Sequence, residues 1–481
     1  MNNRKLNFGL TRPSTFIFEI KLIIYIPKRT IELTVGMKDV KSKATEAEES
    51  SLELANVSEE IRNEALQRAA AAIEKNRARI LEANEEDVAE AKKLLEKGEY
   101  SQALVDRLKL SKDKIDSISR MIRSVSERDD PLNRTIFARK LDENLKLYKV
   151  SVPIGVIGSI FESRPDVLPQ ISSLCLKSGN AVILKGGSEA EKSNRVLYRV
   201  FKEATERAGI PEGWTQLIEA RREVRELLEL HDKVDLLVPR GSKSFIKYIQ
   251  DNSRIPVLGH AEGLCHIYVD KEANLERALQ ISYDGKVQYP AVCNAAETLL
   301  VHHEIAEDLL PKLAEKYREA GVEIRGCNRT REILGQINEA TEEDWRTEYL
   351  DLIISIKIVG SIRRAIRHIN KYGSKHTDAI VSERGSRLIE FLNGVDSSSV
   401  MANASTRFSD GYRYGLGAEV GISTGKTHAR GPVGLEGLTT SKYYLVGDGH
   451  IVEDYVGPEA RPFKHVELSE TWRQERDSLE E

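Results

Sequence analysis

Ala181-Val-Ile-Leu-Lys-Gly-Gly-Ser-Glu189 runs from an unbroken apolar segment through two glycines into an acid that starts a long helix. Four apolar residues in a row, closed by a turn, fit a strand buried on both faces. The helix expected from about Glu189 to Ala208 stops at Gly209, where glycine suits the C-cap. The same unit recurs on either side. Val156 to Ile160 is a compact apolar run leading into Phe161-Glu-Ser-Arg-Pro165, and Val234 to Val238 leads into Pro239-Arg-Gly-Ser242. Ile255 to Leu258 and His266 to Val269 read as further strands. Strands alternating with helices of this length predict a parallel, doubly wound α/β sheet.

A second α/β unit is expected after Cys293, with a helix around Glu304 to Ala320 and strands at Ile353 to Val359, Ala379 to Val381 and Ser399 to Met401. Upstream, Lys38 to about Val125 reads as amphipathic helices opened by Ser58, Asn84 and Ser111, residues that accept from free amides at a helix start. Leu145 to Val152 and Tyr443 to Val446 alternate as strands. Residues after Pro458 are charged and expected to be loosely held. Residues 1–36 read as an extension, disordered or an over-called start with Met37 as the working initiator. Its apolar run, Phe16 to Ile26, is interrupted by Glu19 and Lys21 and too short to span a bilayer.

Composition narrows the function classes. At 481 residues, 40% hydrophobic and 31% charged, the chain has core enough for two or three domains. A net charge of −4 gives no electrostatic case for nucleic acid or an anionic membrane. Cys175, Cys265, Cys293 and Cys327 lie far apart, which points to free thiols in a reducing, cytoplasmic compartment. The histidines show no metal-ligand spacing, so no metal is expected.

Two glycine-rich stretches fail as nucleotide motifs. Gly415-Leu-Gly-Ala-Glu-Val-Gly421 has one residue too many for a dinucleotide fingerprint, and Gly421 to Thr427 has Val420 where a phosphate loop needs glycine. The turn Lys185-Gly186-Gly187-Ser188 is a better candidate, since glycines admit a ligand to the backbone and the following helix offers its amides to an anion. Arg240-Gly241-Ser242 repeats the arrangement, and two such turns at strand carboxyl ends fit a dinucleotide across the sheet edge. Arg164 could grip a carboxylate or phosphate with its planar fork, or lie on the surface. Cys293, at a loop-to-strand boundary after Pro290, fits either a buried structural cysteine or a presented nucleophile.

Longer stretches narrow the choice. Val152-Pro-Ile-Gly-Val-Ile-Gly158, Glu162-Ser-Arg-Pro165, Ser173 to Gly187, Val292-Cys-Asn-Ala-Ala-Glu-Thr-Leu-Leu-Val301, Asn403-Ala-Ser-Thr-Arg-Phe-Ser-Asp410, Gly415 to Thr424 and His428 to Thr440 together resemble the glutamate-5-semialdehyde dehydrogenase (gamma-glutamyl phosphate reductase) family of the aldehyde dehydrogenase superfamily, over about residues 40 to 450. The resemblance implies two doubly wound α/β domains plus a small β oligomerisation flap. The cofactor domain would comprise 37–133 and 151–287, the catalytic domain 288–435, the flap 134–150 with 436–455, and a charged tail 456–481.

It implies Cys293 as nucleophile and Asn294 beside the oxyanion. NADPH would be held by Lys185, Gly186, Gly187, Ser188, Arg240, Gly241, Ser242 and Glu348. Glutamyl phosphate would be gripped by Arg164, Asn403, Ser405 and Arg407. A homo-oligomer and a glutamate 5-kinase on a separate chain are the implied partners. The glutamate base of aldehyde-oxidising relatives is missing from Gly259-His-Ala-Glu-Gly-Leu-Cys265, which suits an enzyme that must not hydrolyse its thioester. Oxidation of a free semialdehyde, or a non-catalytic paralogue, are the alternatives.

Overall fold

The structure is a computed structural model and describes residues 21–26, 29–34 and 39–480. Most of the expected extension, Met37 included, lies outside the described residues; within it Lys21–Ile26 pairs antiparallel with Arg29–Thr34.

Two parallel sheets form the body. The first has the order Thr215–Ile218, Ala181–Lys185, Val156–Phe161, Leu236–Arg240. All residues of the first three strands are buried, which explains the apolar runs of Ala181–Lys185 and Val156–Phe161. Thr215–Ile218 was not anticipated, because Thr215 and Gln216 hide its apolar pattern. The two candidate turns are not on neighbouring strands either: Val156–Phe161 lies between them. Ile255 to Leu258 forms only the bridge Leu237–Val257, since Pro256 has no N–H to continue a ladder.

The second sheet has seven parallel strands, ordered Asn338–Glu339, Glu323–Gly326, Ile353–Val359, Ala296–His302, Cys265–Val269, Thr377–Val381, Ser399–Ala402. Cys265–Val269 pairs on both sides within it, so the expected boundary at 287/288 falls too late. This strand and the helix Leu275–Val287 belong to the second sheet; sequence order alone had attached them to the first.

Helices wrap the sheets. Ser58 and Ser111 cap as expected, accepting from the amides of Ile61 and Lys114. Asn84 does not open a helix, because Arg77–Glu96 runs straight through it. Its buried carboxamide instead donates to the Leu108 carbonyl (2.9 Å) and accepts from the Leu110 amide (2.7 Å), pinning that turn.

A four-stranded antiparallel sheet is ordered Thr439–Val446, Leu145–Pro153, Thr135–Asp142, Val466–Leu468. Its last strand corrects the reading of the tail. Val466–Leu468 extends the flap, and the helix Trp472–Glu480 follows, with the Trp472 ring 4.4 Å from Tyr444 and 5.7 Å from Tyr148. Glu475 accepts from Lys146 (2.7 Å) and the Tyr148 hydroxyl (2.9 Å), so a charged tail docks because the flap offers its carboxylate partners. Among the described residues, no helix is long and apolar enough to cross a membrane.

Candidate active site

Cys293 lies on the loop joining the helix Leu275–Val287 to the strand Ala296–His302. Both ends of that loop are held by one buried ion pair, Lys286 Nζ to Glu297 Oε2 at 2.6 Å. Burial pushes the Glu297 carboxyl up to about 7 and lowers Lys286. The other Glu297 oxygen accepts from the Leu350 amide (3.1 Å), where the backbone is left-handed at φ 54°. Two residues earlier, Glu348 accepts from the Gly263 amide at 2.7 Å. Gly263 is the floor of the loop: a Cβ there would run into the Cys293 carbonyl, so only glycine admits the approach. The Cys265 thiol donates to that same carbonyl (3.2 Å).

The thiol is only partly exposed. Burial, reinforced by the Glu348 and Glu419 carboxylates, pushes Cys293 up to about 12, while the Arg240 guanidinium pulls the other way. The free protein should therefore carry a neutral thiol at pH 7. Its alkylation by iodoacetamide is expected to keep rising with pH beyond pH 10. Glu348→Gln removes a negative neighbour, stabilises the thiolate and should raise the rate at pH 8. A wild-type plateau below pH 9, or no change in the variant, would contradict this electrostatic picture.

The residues expected to bind ligands fall into three groups. Arg240 donates to the Val420 carbonyl (3.2 Å), with Glu419, Arg164 and Cys293 in electrostatic reach. Arg240, expected at the cofactor, is thus also an electrostatic neighbour of the thiol. Arg407 reaches the same loop from the other sheet, donating to Gln288 Oε1 (2.9 Å) and lying 6.0 Å from the Tyr289 ring centre. Arg164 is exposed beside them and makes no ion pair among the described residues.

Other residues of the set are tied into the scaffold. The Asn403 carboxamide donates to the Ser382 carbonyl (2.9 Å) and accepts from its amide (3.0 Å), which fixes the loop after Ser399–Ala402. Ser405 accepts from the Arg407 amide as a cap. Asn294 donates to the Ser409 carbonyl (2.8 Å). Glu348, expected at the cofactor, holds Gly263 beneath Cys293.

The two glycine turns differ. Glu162 accepts from the Ser242 amide (2.8 Å) and lies where a Cβ on Gly241 would go, so a protein carboxylate already occupies this helix start. At the other turn the Lys185 ammonium folds onto the Gly186 carbonyl. There Gly186, Gly187, Ser188, Asn194 and Glu219 line a cleft, and the buried Asn194 Oδ1 has no hydrogen-bond partner among the described residues.

Two imidazoles complete the site. His260 and His376 come from loops far apart in the chain, yet their nitrogens and the Cys293 sulfur lie within 4.8 Å of one another. His376 carries no signal in its local sequence.

A family model described as "Aldehyde dehydrogenase family" matches residues 33–344. The gamma-glutamyl phosphate reductase of Natronomonas pharaonis is 61% identical over 433 residues, covering 90% of this chain and 98% of the relative. The chain belongs to the gamma-glutamyl phosphate reductase family of the aldehyde dehydrogenases. The Haloquadratum walsbyi member of that family is 60% identical over 91% of this chain and 97% of its own. A crystal structure of the gamma-glutamyl phosphate reductase from Thermotoga maritima matches with a TM-score of 0.83 at 42% identity, covering 86% of this chain and all of that one. Membership in the aldehyde dehydrogenases implies a nicotinamide cofactor.

Proposed function

We propose that this chain reduces L-glutamyl 5-phosphate to L-glutamate 5-semialdehyde with NADPH, releasing phosphate through a thioester on Cys293, the second step of proline synthesis from glutamate. The observation that carries this reading is Cys293 laid on Gly263 within electrostatic reach of two guanidiniums, Arg240 and Arg407, in a chain whose relatives bear that enzyme's name.

The chemistry follows from the groups present. The thiol attacks the acyl carbon, the bond from that carbon to the phosphate oxygen breaks, and the thiol proton passes to the departing phosphate. Arg240, Arg164 and Arg407 would hold the departing phosphate and the substrate carboxylate, which offsets the anionic neighbours that keep the resting thiol protonated. The cofactor supplies a hydride to the thioester carbon when bound. The tetrahedral alkoxide then collapses, expelling the Cys293 thiolate and leaving the aldehyde. Because the Asn294 side chain is engaged with Ser409, its backbone N–H is the assigned oxyanion donor; such a donor is worth about 10²–10³ in rate.

The turn Gly186–Ser188 is where the nucleotide would lie, with the unpartnered Asn194 Oδ1 as an acceptor for a ribose hydroxyl. Two nearby carboxylates are already engaged: Glu262 is ion-paired with Lys243, and Glu348 accepts from the Gly263 amide, which makes each a poorer base for hydrolysis of the thioester. The flap exposes Ile136, Tyr443, Leu445 and Val466, a surface suited to a second copy of the chain. A separate glutamate 5-kinase would supply the acyl phosphate in the cytoplasm.

Reversal tests the assignment. NADP reduction by glutamate 5-semialdehyde should require phosphate or arsenate, because the acyl group must leave the thiol to an oxyanion acceptor. Undiminished NADP reduction without either would make the enzyme an oxidising aldehyde dehydrogenase instead.

A further inference from the structure

The fold brings a thiol and two imidazoles together, from residues 260, 293 and 376, with no spacing in the sequence that would announce it. The His260 Nδ1 lies 2.8 Å from the Ile422 carbonyl, so it carries the ring proton and leaves the Nε2 lone pair free. His376 is fully buried, with Nδ1 2.9 Å from the Thr377 hydroxyl and Nε2 without a hydrogen-bond partner among the described residues. A buried ring nitrogen left unpaired forfeits hydrogen-bond energy unless something binds it. The two rings meet edge-on with centroids 4.8 Å apart.

We propose that His260, Cys293 and His376 form a three-ligand site for a soft divalent cation of the zinc type, which closes the thiol to acyl substrates.

The donor set is the kind zinc takes, two neutral imidazoles and a thiolate with a fourth position open to water. Both imidazoles are kept neutral by burial, the form that binds metal. In a tetrahedral site the ligand atoms stand about 3.4–3.7 Å apart, given zinc bonds of about 2.0–2.3 Å. The present 4.8 Å spread therefore needs a contraction of about an ångström. Cys293 and His260 are both on loops and only partly buried, so rotamer changes can supply it. The Ile422 carbonyl and the Thr377 hydroxyl would orient the two rings as outer partners. Binding replaces the thiol proton, which passes to buffer, and nothing is oxidised or reduced. The site stands whether or not Cys293 is the nucleophile proposed above, since metal binding is read without turnover.

The test uses the full, reduced protein without substrate or cofactor. Zinc is titrated against a chromophoric chelator, cobalt(II) spectra are recorded, and alkylation of Cys293 is followed with and without zinc. One equivalent should bind, cobalt should give a thiolate-to-metal charge-transfer band, and zinc should suppress alkylation until EDTA restores it. Cys293→Ser and His260→Gln should each weaken binding by more than about 100-fold, the upper end of what loss of even an outer partner does. His376 is buried, so His376→Gln is read beside its circular dichroism, and His260→Gln carries the test if that variant misfolds.

A second cluster, His302, His303 and Glu304, provides the counter-arm. If binding survives Cys293→Ser and disappears in His303→Ala, the ion sits there and the proposal falls. It falls equally if cobalt gives no thiolate band.

Discussion

Cys293→Ser is expected to lower the rate of NADPH oxidation with enzymatically generated glutamyl phosphate by about 10⁴-fold or more, the scale on which covalent nucleophiles matter. The replacement changes one side-chain atom and leaves the backbone packing against Gly263, so the loop should stand. What it removes is a group able to attack the acyl carbon and leave again from the tetrahedral adduct. A hydroxyl in this setting is a far weaker acid than a thiol already pushed up to about 12. Cofactor binding, measured by fluorescence titration, should be unchanged, because the Lys185–Ser188 cleft lies on the other sheet. Equal rates in variant and wild type would remove Cys293 from the chemistry.

The second large effect concerns stability. Lys286 and Glu297 are both fully buried, and each has the other as its charge partner. Glu297→Ala should destabilise the protein by about 3–5 kcal/mol, because the Lys286 ammonium is left buried without a counter-charge and the Leu350 amide loses its acceptor. Lys286→Met should be milder. With the cation gone, burial raises the Glu297 carboxyl further, and it becomes neutral by taking a proton at pH 7. The double variant Lys286→Met with Glu297→Leu should recover much of the loss, as replaced buried ion pairs commonly do. Urea midpoints at unchanged slope measure all three. A Glu297→Ala loss below about 1 kcal/mol would show that the pair does not hold the loop.

The ranking also bears on function, since the pair closes the two ends of the segment that presents the thiol. Loosening it should disturb Cys293 and, through Leu350 and Glu348, the amide of Gly263 beneath it.

Local pattern was enough for much of the scaffold. Apolar runs at Val156–Phe161 and Ala181–Lys185 are strands because both their faces are covered, and such burial leaves an unbroken apolar signature. Ser58 and Ser111 begin helices because capping is decided within four residues. The glycine turn at 185–188 and the thiol at 293 could be singled out for similar reasons, and the long quoted stretches carried the family.

Tertiary structure decided everything that depends on partners distant in the chain. Strand order is of this kind: it placed Cys265–Val269 inside the second sheet and slipped Val156–Phe161 between the two candidate turns. The roles of polar side chains are of this kind too. Arg240 bound the Val420 carbonyl, Asn403 bound Ser382, and Asn84 pinned Leu108 and Leu110, because a buried polar group takes whichever partner the fold sets beside it. The Lys286–Glu297 pair and the meeting of His260 and His376 at Cys293 had no local signature at all. The sequence determined the scaffold and named the thiol; only folding determined the charges, imidazoles and glycine floor that surround it, because those contacts join segments that no local pattern couples.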